Sequence, residues 1–303
     1  MYLEHFKLNK APFTLTPNTY FFCELPTHQE ALTVLLLSLG QGEGFIKIVG
    51  EVGTGKTLLC RILLNSLTEE YVTAYIPNPD QTPNSLRFAV ACELGIDVKK
   101  SWTQHQILEA INLRLLELHR DGKKIVLVID EAQALSKGCL EAVRLLTNLE
   151  TEEHKLLQVV LFGQPELDAN LNQHDLRQLK QRITFSYNLQ PLARKEQDKY
   201  LNHRLARAGY TYGSLFNEKA LKRLYRASNG MPRLLNILSH KALLVAYGQG
   251  KTTVDGYAVS RAIADTESIS RSVGFHTFIT YFGFGVLTIG VILTVYWNYG
   301  LLT

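Results

Sequence analysis

A chain of 303 residues, 46% hydrophobic and 20% charged, is long enough for an α/β core with a smaller satellite, since single cores stop growing near ~250 residues, and too apolar to be disordered. Its net charge of +4 comes from dispersed Lys and Arg mostly matched by nearby acids, unlike the clustered basics of a nucleic-acid binder. Cys23, Cys60, Cys92 and Cys139 form no CxxC pair, so the sequence suggests neither a zinc site nor a disulfide framework and fits a reducing compartment.

Residues 1–15 mix His, Lys and Glu with apolar residues and lack the continuous apolar core of a signal peptide. Residues 45–49 are an apolar run with Lys47 as the only charge, which predicts a strand. A glycine-rich break at 50–56 follows, and 57–67 places Leu58, Leu59, Ile62, Leu63 and Leu67 at helical spacing. Residues 71–76 predict a second strand, closed by Pro77 and Pro79, which cannot continue a ladder. Helical patterns occupy 82–94 and 103–120. Residues 124–129 are almost all β-branched or Leu, the mark of a strand buried on both faces, and they end in Asp130 and Glu131. A helix at 140–149 and strands at 157–162 and 183–189 complete an alternating β/α series, which predicts a doubly wound parallel sheet.

After Pro191 the strand signals stop, and 193–208, 217–227, 232–246 and 254–266 read as helices of a small all-helical domain. Pro232 sits at a helix start, where its missing N–H has no consequence. Residues 277–297 carry no charge, are rich in Phe, Ile, Leu and Val, and have Tyr296, Trp297 and Tyr299 at their edge. That run matches the ~20 apolar residues that cross a bilayer core, a buried helix being the alternative. Lys251, Arg261 and Arg271 precede it, so the positive-inside rule leaves the preceding domains in the cytoplasm. The expected organisation is an α/β domain at 1–190, a helical lid at 191–268, a linker at 269–276, a transmembrane helix at 277–297 and a tail at 298–303.

Gly50, Glu51, Val52, Gly53, Thr54, Gly55, Lys56 and Thr57 match G-x-x-x-x-G-K-[ST] between a predicted strand and a predicted helix, the context this phosphate loop requires. Glycines let consecutive N–H groups turn toward phosphate oxygens, and the following helix, through Leu58, adds its positive end. Lys56 is expected to reach the β- and γ-phosphates of ATP, and the Thr57 hydroxyl to ligate Mg²⁺. Asp130 and Glu131 close the most apolar strand, at the sheet edge where open α/β sheets hold ligands. Two adjacent acids there call for a cation, so Asp130 is expected to hold Mg²⁺ and Glu131 to act as general base on water; a solvated acidic turn is the alternative.

These runs, with Leu161 to Leu167 (LFGQPEL), Leu179 to Ile183 (LKQRI) and Asn229 to Leu238 (NGMPRLLNIL), resemble the P-loop AAA+ ATPases of the general secretion pathway protein A type. Among those, the resemblance is strongest to the ATPases of MSHA pilus biogenesis, and it covers residues 1–268. It implies a sensor 1 role for Gln164, a sensor 2 role for Arg233 and an arginine finger at Arg182, with Arg177 a competitor and a plain surface arginine the alternative. It also implies that the 12–30 entry segment passes the adenine, where Phe13 either stacks on the base or packs in the core, and His28 reads as a cap or packing residue. Members of this type carry a wall-binding domain beyond the membrane span; the sequence ends at Thr303, so peptidoglycan binding is not carried over.

The resemblance implies an ATPase anchored in the bacterial inner membrane that oligomerises with ATP and works with pilus or secretion assembly proteins. A DNA-acting ATPase of the transposition type and a nucleotide-dependent scaffold with little turnover are the alternatives, the first disfavoured by the absence of a basic arm.

Overall fold

The computed structural model describes residues 1–149 and 155–266. Five parallel strands, β1 (Phe45–Gly50), β2 (Tyr71–Ile76), β3 (Lys124–Ile129), β4 (Gln158–Gly163) and β5 (Ile183–Leu189), form one sheet in the order β2-β3-β4-β1-β5. The continuous apolar runs of β1, β3 and β4 arise because both faces of the sheet are covered. Ile125, Leu127 and Ile129 face one core with Phe45, Val49, Val159 and Leu161, whereas Val126 and Val128 face the other with Ile46, Ile48, Val160 and Phe162. Side chains alternate along a strand, so each strand feeds both cores.

Helices α1 (Pro26–Gly40) and α2 (Lys56–Ser66) close one face through Ala31, Leu35, Leu39, Leu59 and Leu63. Helices α3 (Pro83–Glu93), α4 (Gln104–Arg120) and α5 (Lys137–Leu146) close the other through Leu86, Val90, Ile111, Leu115, Leu140 and Val143. The doubly wound parallel sheet expected from the sequence is therefore present. Helix starts follow their caps. Thr103 and Gln106 form a reciprocal capping box, and Ser136 caps α5, so that helix begins at Lys137 rather than at 140. Edge strand β5 alternates half-buried Ile183, Phe185 and Tyr187 with exposed Thr184, Ser186 and Asn188, a polar outer row that discourages further pairing. Two short helices, α6 (Pro165–Leu171) and α7 (Arg177–Arg182), link β4 to β5.

By contact, the described residues fall into two compact units, cut differently from the boundary expected at 190. The larger holds 14–207 and 230–234, including the sheet and helix α8 (Arg194–Arg207). Helix α8 stays with the sheet unit because it ties down the entry segment. Lys199 donates to the Glu24 carbonyl (3.1 Å) and Arg207 to the Tyr20 carbonyl (2.9 Å). The smaller unit joins 1–13 to 208–229 and, among the described residues, to 235–266. It contains α9 (Glu218–Ser228), α11 (Gly256–Ala264) and all but the first turn of α10 (Pro232–Gly248) around Leu215, Leu224, Leu238, Leu243 and Val259. Among the described residues no helix is long and apolar enough to cross a membrane, and the span expected at 277–297 lies outside them.

Candidate nucleotide site

Because all five strands are parallel, their C-terminal ends share one edge, and the order β3-β4-β1 brings the loop after β1 and the acids after β3 to either side of β4. The loop from Gly50 to Gly55 needs glycine at two points. Gly53 and Gly55 have φ of 89° and 103°, and a Cβ on Gly53 would stand 2.7 Å from Cβ of Arg233. Thr54 is fully buried, and its hydroxyl donates to the Glu51 carbonyl (2.9 Å), which pins the turn. Glu51 and Val52 are exposed at the tip, and half-buried Leu58 lies in the first turn of α2.

Lys56 is buried, and its ammonium donates to the carbonyls of Gly50 (2.7 Å) and Glu51 (3.0 Å). Burial lowers its pKa, while the carboxylates of Glu131, Asp130, Glu51 and Glu166 pull it back up. Asp130 is only 2% exposed, and burial raises its carboxyl pKa against hydrogen bonds from the Thr57 hydroxyl and the Glu131 main-chain N–H (2.9 Å). The Thr57 hydroxyl at the start of α2 acts on the Asp130 carboxyl at the end of β3, so both are oxygen donors of the kind that a small hard cation takes. Among the described residues no group of three or more His, Cys, Asp or Glu could hold a metal unaided. An ion held here would draw its remaining ligands from phosphate and water, as magnesium does in nucleotide sites.

Glu131 adopts φ 51° and ψ 37°, a left-handed conformation that costs a non-glycine residue about 1–3 kcal/mol. Its Oε2 accepts from Gln133 Nε2 (2.6 Å) and from Gln164 Nε2 (3.0 Å). The expected sensor 1 residue thus touches the expected base directly. Arg233 also reaches the loop: its main-chain N–H donates to the Gly53 carbonyl (3.2 Å), and its side chain is exposed.

Arg182 does not join this group. It immediately precedes β5, whose Ile183 pairs with Phe45 at the start of β1, whereas Leu189 pairs with Gly50 at the end. The six residues of β1 therefore separate it from the loop by ~20 Å. There it donates to the Thr147 hydroxyl (3.2 Å), beside a cavity of about 400 Å³ that Glu43 and Lys155 also line. Arg177 opens the same short helix and is exposed. Phe13 is buried edge-on against Phe216 (centroids 6.0 Å apart) within the smaller unit, so it serves there as a core residue.

Two residues gain a role that sequence alone did not give them. His28 is buried, and its Nε2–H donates to the Thr54 carbonyl (3.1 Å), so the packing residue braces the loop. Burial lowers its pKa, opposed by that hydrogen bond and by Glu196. Gln133 bridges Glu131 and Gln164; the only signal for it was a long amide two residues beyond the acid pair.

Residues 39–171 match the AAA domain family, a stretch that holds the loop, both acids and Gln164. General secretion pathway protein A of Aeromonas hydrophila is 42% identical over 269 residues, covering 89% of this chain and 49% of that protein. The chain thus spans about half the length of the curated relative it matches. Among solved structures, Cdc6p of Pyrobaculum aerophilum aligns with a TM-score of 0.63 at 20% identity, over 80% of this chain and 67% of that one. The Aeropyrum pernix ORC1 protein, solved in complex with DNA, aligns with a TM-score of 0.61 at 21% identity, over 86% and 70%. At such identity these two structures establish the fold alone.

Proposed function

Since the chain belongs to the AAA+ P-loop ATPases of the general secretion pathway protein A type, we propose that it hydrolyses Mg²⁺-bound ATP to drive or regulate assembly of an MSHA-like type IV pilus or a related secretion apparatus. The observation that carries the catalytic part is the sheet order β3-β4-β1, which brings the phosphate loop after β1 and the acid pair after β3 to the same sheet edge, on either side of β4. Thr57 and Asp130 would hold a magnesium ion, which when bound would offset negative charge on the phosphate oxygens. Loop N–H groups and the start of α2 cradle the phosphates, and Lys56 exchanges the carbonyls of Gly50 and Glu51 for phosphate oxygens. Glu131 takes a proton from the attacking water while Gln164 orients it. Arg233 couples the start of α10 to the nucleotide through Gly53.

Arg182, at the opposite edge of the sheet, serves the nucleotide of a neighbouring copy in an ATP-dependent homo-oligomer. The 277–297 segment anchors the chain once in the bacterial inner membrane with the ATPase in the cytoplasm, which places it beside inner-membrane assembly proteins.

Affinity purification of the full chain carrying Glu131→Gln from membranes tests the cellular part. Pilus or secretion assembly proteins are expected to co-purify with ATP and to be lost with ADP. Recovery that ignores the nucleotide would contradict the proposal.

A further inference from the structure

We propose that Gln133 is a positioning residue that fixes the Glu131 carboxylate by bridging it to the end of β4. The inference rests on the reading of Glu131 as general base and adds to it a residue outside the loop, the acid pair and the sensors.

The side-chain amide of Gln133 is used at both ends. Its Nε2 donates to Glu131 Oε2 (2.6 Å), and its Oε1 accepts from the main-chain N–H of Gln164 (2.9 Å). A main-chain partner makes this more than a side-chain contact, because that N–H belongs to the residue joining β4 to α6 and moves only with the sheet edge. The main chain of Gln133 is held as well. It lies in the 3₁₀ turn Ala132–Ala134, locked by fully buried Ala132 and nearly buried Leu135, and its carbonyl accepts from Asn170 of α6 (3.4 Å). Both ends of the brace are therefore set by packed elements, as preorganisation of a reacting group requires.

The brace also selects an oxygen. Gln133 and Gln164 both donate to Oε2, so among the described residues Oε1 remains the atom of Glu131 open to accept a proton from water. Without Gln133, Gln164 alone would restrain a carboxylate carried on a left-handed, strained backbone. A displacement of a fraction of an ångström at a base slows proton transfer while leaving phosphate binding as it was.

The test compares full-length wild type, Gln133→Ala, Gln133→Met, Glu131→Gln and the Glu131→Gln/Gln133→Ala pair. The readouts are kcat and KM for ATP, affinity for a fluorescent ATP analogue, and thermal melting. Both Gln133 variants are expected to lose kcat by on the order of tenfold to a hundredfold, with KM and analogue affinity within about twofold of wild type. Gln133→Met keeps the length of the side chain, so its failure to rescue isolates the hydrogen bonds. In the Glu131→Gln background the second substitution is expected to add nothing. Unchanged or raised kcat, or parallel losses of kcat, affinity and melting temperature, would overturn the inference. Wild-type turnover in Glu131→Gln would instead remove the assignment of the base, so the two failures are distinguishable.

Discussion

The ammonium of Lys56 lies 2.7 Å from the carbonyl oxygen of Gly50, six residues earlier in the same loop, so the residue expected to grip phosphate satisfies its buried charge on its own main chain. Those carbonyl contacts are the ones a bound triphosphate is expected to replace. Lys56→Ala removes a charge-assisted interaction worth about 1.5–3 kcal/mol, so ATP affinity is expected to fall on the order of tenfold to a hundredfold. Titration with a fluorescent ATP analogue measures this, and retained melting shows that the fold survives.

Asp130 is a buried carboxyl whose burial raises its pKa. The native state then holds the proton more tightly than the unfolded chain, so this group's contribution to stability declines as pH rises from the ordinary aspartate value of 3.8 through the native value. At neutral pH, Asp130→Asn is therefore expected to raise the melting temperature of the nucleotide-free protein while removing Mg²⁺-dependent turnover. The gain is expected to vanish below the ordinary aspartate range, where the wild-type carboxyl is neutral in both states.

For His28 the sign is reversed. Its native pKa is below the ordinary histidine value of 6.5, so its contribution is complete above that value and is lost as pH falls below it toward the native value. One unit below 6.5 the loss reaches up to about 1.4 kcal/mol. His28→Gln retains a neutral donor for the Thr54 carbonyl and is expected to lose less stability than wild type between pH 7.5 and 5.5, as read by thermal melting.

Arg182 and the phosphate loop occupy opposite ends of the β1–β5 pair, so a catalytic role for this arginine requires another copy of the chain. Arg182→Ala alone is expected to lose turnover while binding ATP normally. Mixing it with Glu131→Gln subunits is expected to restore part of the turnover, because a wild-type arginine then meets a wild-type site across one interface. Normal hydrolysis by Arg182→Ala would place the finger elsewhere, with Arg177 the next candidate.

The sheet was legible in the sequence because strands covered on both faces leave uninterrupted apolar runs. The strands at 71–76, 124–129 and 183–189 coincide with β2, β3 and β5. Helix α1 was not legible, because its buried stripe includes the polar His28 and Ser38 and so blurs the apolar period. The loop and acid pair were readable as local runs, since their chemistry demands particular residues at fixed spacing. Gln133 was not, because its role comes from the return of β4 beside β3, a contact 31 residues away in sequence. The position of Arg182 likewise follows from the register of β5 against β1. Helix α8 falls in the larger unit with the entry segment because Lys199 and Arg207 bind the main chain of 20–24.

Glu131 is proposed to perform the chemistry at an ATP site built by the Lys56 loop and Asp130. Parallel measurement of ATP binding and single-turnover hydrolysis by full-length Glu131→Gln in its assembled form tests it most directly. The account predicts bound, unhydrolysed ATP, with turnover lowered by on the order of a hundredfold or more. Hydrolysis at the wild-type rate by that variant would contradict it.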